Sequence, residues 1–286
     1  MDPFAVRYEH TPFLQTSKTG AYANRLNWRC EIILTRNQQA VKQKRILDLA
    51  SHDGRFSYAC LKLGARHVTG IEARPGLVEK AHGNLLALGC RKDSFRFVTD
   101  DVFDYLPEIR PGDFDTVLCL GFISHTVRQV QLFDELKRLA APCFILDNCV
   151  DLKFRQIARV LRKLQKSRLY RMSQFLRKGS GGHPLRYLLE SLEDVPYLAF
   201  RDEENESEGN TTDSLRFAAR PSQALLEKFF NKYGFRFRLL EWPHREIQDW
   251  EYLKDYREGA RLCYLAQRCP PSFDPQEVNL SPKCVP

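Results

Sequence analysis

Between residues 48 and 101 this sequence sets four acids at intervals, Asp48, Asp53, Glu72 and Asp101, and its chemistry is concentrated there. Three short apolar runs lead into them. Residues 44–50 read Lys-Arg-Ile-Leu-Asp-Leu-Ala and open into the turn Ser51-His52-Asp53-Gly54, residues 67–73 read His-Val-Thr-Gly-Ile-Glu-Ala, and residues 95–99 open into Asp100-Asp101-Val102. An acid closing a second strand accepts both hydroxyls of a ribose. Glu72 stands 24 residues after Asp48, near the ~20-residue spacing of a nucleoside-binding unit. The pattern predicts a nucleoside ligand.

The first turn separates the nucleoside cofactors. A dinucleotide needs Gly-x-Gly-x-x-Gly so that its pyrophosphate can approach the backbone at a helix N-terminus, and here Gly54 is the only glycine of the turn. Asp48, with Asp53 beside it, repels a pyrophosphate but suits a molecule carrying an ammonium and a sulfonium. S-adenosylmethionine is therefore expected in place of NAD. Each acid also has a plainer reading: Asp48 as a cap of the turn, Glu72 as a solvated strand end, Asp101 as a helix N-cap beside Asp100. His52 occupies a position where glycine is usual; it tolerates a left-handed backbone and is assigned to the cofactor loop, not to catalysis. His125, which follows a fourth apolar run, is the candidate base, because imidazole takes a proton from an oxygen or nitrogen nucleophile near neutral pH. Its structural alternative is a hydrogen bond from the turn to a backbone carbonyl. Methyl transfer leans on positioning, with effective molarities of about 10⁵ M or more attainable, so loss of His125 is expected to leave some activity.

The elements that must position these residues alternate. Strand-like runs at 44–50, 67–73, 95–99, 114–120 and 143–149 are separated by helical patterns at 55–63, 77–88 and 128–140. Gly89 closes the second of these in a left-handed cap. Runs four and five are almost continuously apolar, as in parallel strands covered on both faces. The expected fold is α/β, doubly wound. A helix over residues 20–40 precedes the first strand; from it Tyr22 and Arg29 are expected to close over a methionine carboxylate and the substrate, with Trp28, Ile32 and Ile33 as its packing face. After strand five the alternation is interrupted by roughly 70 residues, read as an inserted lid between strands five and six. It resumes with a helix at 222–232, a strand at 235–242, a polar connection and a last strand at 261–267.

With 286 residues, 43% hydrophobic, 12% aromatic and 28% charged, the chain belongs among ordinary globular proteins, which excludes disordered and fibrous classes. The apolar stretch 116–127 is 12 residues long, under the roughly 20 that a membrane helix needs. No secretory signal is visible, and the chain reads as cytoplasmic. Nine cysteines without a CxxC pair argue against a metal site or a disulfide framework. The net charge of +8 is uneven: residues 151–178 hold ten basic side chains against the single acid Asp151. That run reads as a solvated helix face, as a lid attracting an anionic small substrate, or as a phosphate-contacting surface for RNA, where Tyr170 and Phe175 would stack on bases.

Together these stations resemble the class I S-adenosylmethionine-dependent methyltransferases. Where that family reads Asp-Leu-Gly-x-Gly-x-Gly, this chain has Asp48-Leu49-Ala50-Ser51-His52-Asp53-Gly54. The string VTGIEA carries the ribose acid Glu72 and Ala73, TDDVFDYLP sets Asp101 for the adenine amino group and Val102 for the ring, and FDTVLCLGFISHT holds Gly121 and His125. RLCYLAQR resembles the antiparallel seventh strand. The resemblance implies a seven-stranded Rossmann-like methyltransferase sheet, with a helical cap at 1–43, a cofactor-binding half at 44–150, a basic lid at 151–220, completing strands at 221–270 and a surface tail at 271–286. It also implies S-adenosyl-L-methionine held by Asp48, Ala50, Ser51, His52, Gly54, Glu72, Ala73, Asp101, Val102, Gly121, Tyr22 and Arg29. LCLGFISHTVRQVQLFDELKRL is loosely similar to the branch holding the tRNA wobble-uridine carboxymethyltransferase and small-molecule O- and N-methyltransferases. The expected reaction is methylation of an oxygen or nitrogen of a small, anionic molecule. The alternatives are a tRNA base methyltransferase and a catalytically inactive binding subunit.

Overall fold

The apolar runs that carry the acids are the parallel strands of one sheet. A computed structural model describes residues 4–17, 22–153, 157, 195–202 and 217–269. The strands are β1 (Arg45–Leu49), β2 (His67–Glu72), β3 (Phe95–Thr99), β4 (Thr116–Leu120), β5 (Cys143–Cys149), β6 (Leu198–Asp202), β7 (Phe217–Pro221), β8 (Phe235–Leu239) and β9 (Arg261–Arg268). Seven of them form a sheet in the order β3-β2-β1-β4-β5-β9-β8. Strands β1 to β5 run parallel, and β9 enters antiparallel between β5 and β8. Apart from Lys153 and position 157, the basic run lies outside the described residues. So do the Gly-rich turn at 179–182, residues 203–208 of the acidic loop and the tail from 270.

Alternation along each strand feeds two cores, because successive side chains leave opposite faces of a strand. Ile46, Val68, Leu118 and Ile145 point to one face, where Trp28, Ile32 and Ile33 pack as expected. Leu47, Leu49, Ile71, Val117 and Cys119 point to the other, with Leu132, Phe133 and Phe230. Helices with both ends among the described residues are α1 (Phe13–Thr16), α2 (Ala23–Ile33), α3 (Arg55–Lys62), α4 (Pro75–Ala87), α5 (Val102–Tyr105), α6 (Gln129–Leu139), α7 (Gln223–Lys232) and α8 (Lys254–Arg257). Pro75 opens α4, where its missing N–H costs nothing, and Gly89, at φ 74°, follows its end. The Ser222 hydroxyl accepts the Leu225 N–H and caps α7.

Three elements differ from the sequence reading. The helix read over 20–40 is α2 followed by a 3-10 turn, Thr35–Ala40; the buried Asn37 amide donates to the Ile32 and Ile33 carbonyls and ends α2 there. Within the stretch read as a lid, β6 and β7 pair antiparallel as a separate two-stranded sheet; both are short and lack the apolar run that marks the central strands. The polar connection before β9 holds α8, which buries Tyr256 behind the candidate site.

Candidate active site

At the C-terminal ends of β1 and β4, where the strand order reverses, the fold leaves a cavity of about 410 Å³. Asp48, Ala50, Ser51 and His52, from the end of β1 and the turn after it, line one side. Ala50, His52 and Gly54 have φ of 52°, 55° and 81°. The three places at which the resembling family carries glycine are thus the left-handed ones. For alanine and histidine this conformation costs roughly 1–2 kcal/mol each. The turn is held in it by bonds from Ser51 N–H to the Ile71 carbonyl (2.9 Å), from His52 N–H to Glu72 Oε2 (3.0 Å) and from Gly54 N–H to the Ser51 carbonyl (3.1 Å). Gly54 is required on a second ground, since a Cβ there would lie 2.9 Å from the Leu85 side chain.

The acids play different parts. Asp48 is 2% exposed and accepts the Ser57 hydroxyl at 2.7 Å. Burial, reinforced by the neighbouring Glu72 charge, pushes its carboxyl up to about 7 despite the Ser57 bond. Asp53 does not join it: its carboxylate takes Arg55 Nε at 2.7 Å and the Thr16 hydroxyl at 2.8 Å. Burial works against that charge, but the contacts with His52 and Arg55 hold Asp53 below the usual carboxylate range. The sequence argument that paired two acids toward the ligand therefore keeps Asp48 alone. Glu72, also 2% exposed, is bonded by Arg74 N–H (3.1 Å), Arg74 Nε (2.7 Å) and the His52 amide. Arg74, not Glu72, forms the cavity wall at this point. Accepting two ribose hydroxyls requires the partly exposed Arg74 side chain to turn outward.

The opposite wall is basic. Arg29 and Arg261 both bond the fully buried Asp147, Arg261 through Nε at 2.9 Å and Nη2 at 3.1 Å. Tyr256 Oη donates to the same carboxylate. Burial opposes its ionisation, but the two guanidiniums hold Asp147 well below the usual carboxylate range. Two cations share one anion here, which leaves a net positive charge beside the cavity. Arg25 is held by Asp255 through two bonds of 2.8 and 2.6 Å. Tyr22 and Tyr252 stack with ring centroids 3.6 Å apart at the cavity edge. Gly121, at φ 100°, leaves room for Arg261, whose Nη2 would lie 3.0 Å from a Cβ there.

The cavity thus brings together Asp48, Ala50, Ser51, His52, Gly121, His125, Tyr22 and Arg29. Gly54 and Ala73 do not line it, and neither do two further candidates. Asp101 caps α5 through a 2.8 Å bond from Phe103 N–H, and Val102 is buried in the core. Arg29 reaches the cavity with its guanidinium already committed to Asp147 and stacked 4.6 Å from the Phe56 ring. Sequence reasoning missed Arg25, Arg55, Arg74, Phe122, Tyr252 and Arg261; the last two lie some 200 residues from the first turn, and no local motif marks them. An adenosyl cofactor fits these groups: a left-handed loop with a strand-end acid bonded across it. Among the described residues no cluster of His, Cys, Asp and Glu is arranged to hold a metal ion, and no helix is long and apolar enough to cross a membrane.

Known proteins share this fold. Residues 46–143 match the family described as Methyltransferase domain. The N-terminal domain of EvdMO1, solved with SAH bound, is 15% identical over 82% of this chain and 79% of that one, with a TM-score of 0.53. Magnesium protoporphyrin IX methyltransferase (ChlM) from Synechocystis PCC 6803, solved with bound SAH, is 15% identical over 90% and 92%, with a TM-score of 0.50. The YcgJ protein of Bacillus subtilis is 12% identical over 82% and 96%, with a TM-score of 0.50. At these identities the likeness is one of fold. No curated protein matches the chain in sequence at a significant level.

Proposed function

We infer that this chain, which has a methyltransferase domain at residues 46–143 and the sheet order of the class I S-adenosylmethionine-dependent methyltransferases, transfers a methyl group from that cofactor to an oxygen or nitrogen of a small anionic molecule. The observation that carries this reading is the turn after β1, which keeps its left-handed path at Ala50, His52 and Gly54 while bonding Glu72 across it. Two non-glycine residues are held there in a strained backbone, as at sites where the surroundings over-determine the conformation. The substrate class rests on the wall: Arg25, Arg29 and Arg261 with Tyr22, Phe122 and Tyr252 around a cleft of small-molecule size.

When bound, the cofactor supplies an electrophilic methyl on a sulfonium. Glu72, once Arg74 turned out, would hold the ribose hydroxyls, and Asp48 would hold the ammonium. Arg25 and Arg261, each oriented by a carboxylate, hold the substrate anion and so fix the approach of its nucleophile. His125, in the 3-10 turn Ile123–His125 after β4, lines the cavity and accepts the nucleophile's proton.

The test is label transfer. The purified protein is incubated with methyl-labelled S-adenosylmethionine and pools of small hydroxy- and amino-carboxylates, and separately with tRNA. Label on a carboxylate supports the reading. Label on tRNA alone replaces it with the RNA reading, and cofactor binding without transfer to any of these replaces it with a binding subunit.

A further inference from the structure

Five arginines line the cavity, Arg25, Arg29, Arg55, Arg74 and Arg261, and a guanidinium keeps its charge in a protein. Three of them are matched one to one: Arg25 by Asp255, Arg55 by Asp53 and Arg74 by Glu72. Arg29 and Arg261 instead share Asp147. Among the described residues, the five guanidiniums thus meet four carboxylates, and the surplus positive charge falls at one place. The other partners there do not cancel it. Tyr256 Oη and Cys263 Sγ donate to Asp147, and Cys149 Sγ accepts from Arg261 Nη1 at 3.5 Å; these are a phenol and two thiols, not carboxylates.

The surplus is presented to the cavity by Arg261. Asp147 lies fully buried behind it, whereas the Arg261 side chain is 13% exposed and lines the wall. Of its five N–H groups, two reach Asp147 and one Cys149, which leaves two for a ligand. Gly121, the residue after β4, keeps this guanidinium in place, because a Cβ there would stand 3.0 Å from Nη2; the turn that carries His125 follows directly. The rings of Phe122 and Tyr252 line the same cavity. A guanidinium fork matches the two oxygens of a carboxylate. A single negative charge balances the wall, and a second one would be desolvated without a partner. S-adenosylmethionine, with two cations and one carboxylate, leaves this count as it is once the ionised Asp48 offsets its net charge.

We propose that Arg261, sharing Asp147 with Arg29, is a subsite for one carboxylate, and that the molecule methylated is a monocarboxylate whose flat apolar body lies against Phe122 and Tyr252. The proposal rests on the methyltransferase reading and deepens it, from a small anion to a singly charged one that carries its charge on a carboxylate and not on a phosphate. Arg261 makes the contact, and Arg29 supplies the charge that Asp147 leaves uncancelled.

The test uses the full chain saturated with S-adenosylhomocysteine at about pH 7, in a low-salt buffer free of carboxylate and phosphate. Calorimetry compares benzoate, a flat monoanion, with phenyl phosphate, which has the same ring and, with a second pKa near about 6, is mainly a dianion. The expected result is saturable binding of benzoate, about tenfold or more tighter than phenyl phosphate. Arg261→Gln leaves Asp147 paired with Arg29, so no buried carboxylate is stranded, and should weaken benzoate by about tenfold or more. Arg29→Gln removes the same surplus from the other side and should weaken it too. Phenyl phosphate binding as tightly as benzoate, no benzoate binding at millimolar concentration, or unchanged benzoate affinity in both variants overturns the proposal and leaves the methyltransferase reading standing. So does benzoate that binds the cofactor-free chain and is displaced by S-adenosylhomocysteine but not by 5′-methylthioadenosine, which lacks the amino-acid end, since the subsite then belongs to the cofactor's own carboxylate. A wild type that binds neither adenosyl compound overturns both.

Discussion

The acid at the end of β1 makes cofactor binding a proton-linked event. Asp48 is buried and its carboxyl is raised to about 7, so at pH 6 it is about nine-tenths protonated in the free protein. If the ionised form faces the cofactor ammonium, binding at pH 6 must expel about 0.9 proton and at pH 7 about 0.5. The apparent affinity then rises about fivefold from pH 6 to pH 7, close to 1 kcal/mol, and levels off above. The cofactor's own α-amino group titrates near 7.7–8.0 and stays charged across that window. The assay is calorimetric titration with S-adenosylhomocysteine in buffers of different ionisation enthalpy, which yields the protons released, for wild type and Asp48→Asn. The variant should release none through this route and should lose the rise. The stability of the free protein follows the opposite sign. The folded pKa of Asp48 exceeds its unfolded value near 3.9, so its contribution is fully present below about pH 4 and is lost as pH climbs toward 7. Equal proton release by wild type and variant at pH 6 would refute this account of Asp48.

Three further outcomes are expected. Gly70→Ala places a Cβ 2.5 Å from the Phe97 ring and 2.6 Å from the Ser51 hydroxyl; it should destabilise by roughly 1–3 kcal/mol, seen as a lowered midpoint in urea. Asp147→Asn leaves two buried guanidiniums without a counter-charge and should cost about 3–5 kcal/mol, measured by the same denaturation. His125→Ala should lower turnover by about 10² or more with S-adenosylhomocysteine affinity unchanged, read by comparing label transfer with calorimetry.

The strands β1, β2, β4 and β5 were legible as apolar runs, with Asp48 inside the first and Glu72 closing the second, whereas β3 and β8 alternate apolar and basic residues. The first turn was legible from its order, even with Ala50 and His52 in place of glycine, because spacing and strand context survive the substitutions. What the turn does was less so. Asp53 belongs to Arg55 and Thr16, and Glu72 to Arg74, pairings that depend on side-chain direction. Of the basic wall, only Arg29 was legible. Arg29 and Arg261 meet over Asp147 from α2 and β9, 232 positions apart, and only the antiparallel insertion of β9 beside β5 brings them together. Asn37 ended α2 by a side-chain bond where the apolar pattern ran on.

The claim on which everything else depends is that this fold holds an adenosyl sulfonium cofactor. Titration of the purified chain with S-adenosylmethionine and S-adenosylhomocysteine, with NADH as the control, tests it in one experiment. The account predicts saturable binding of the first two in the micromolar range, weakened by about 1–3 kcal/mol in Glu72→Ala, and no binding of NADH. Binding of NADH, or of none of the three at high micromolar concentration, would contradict it.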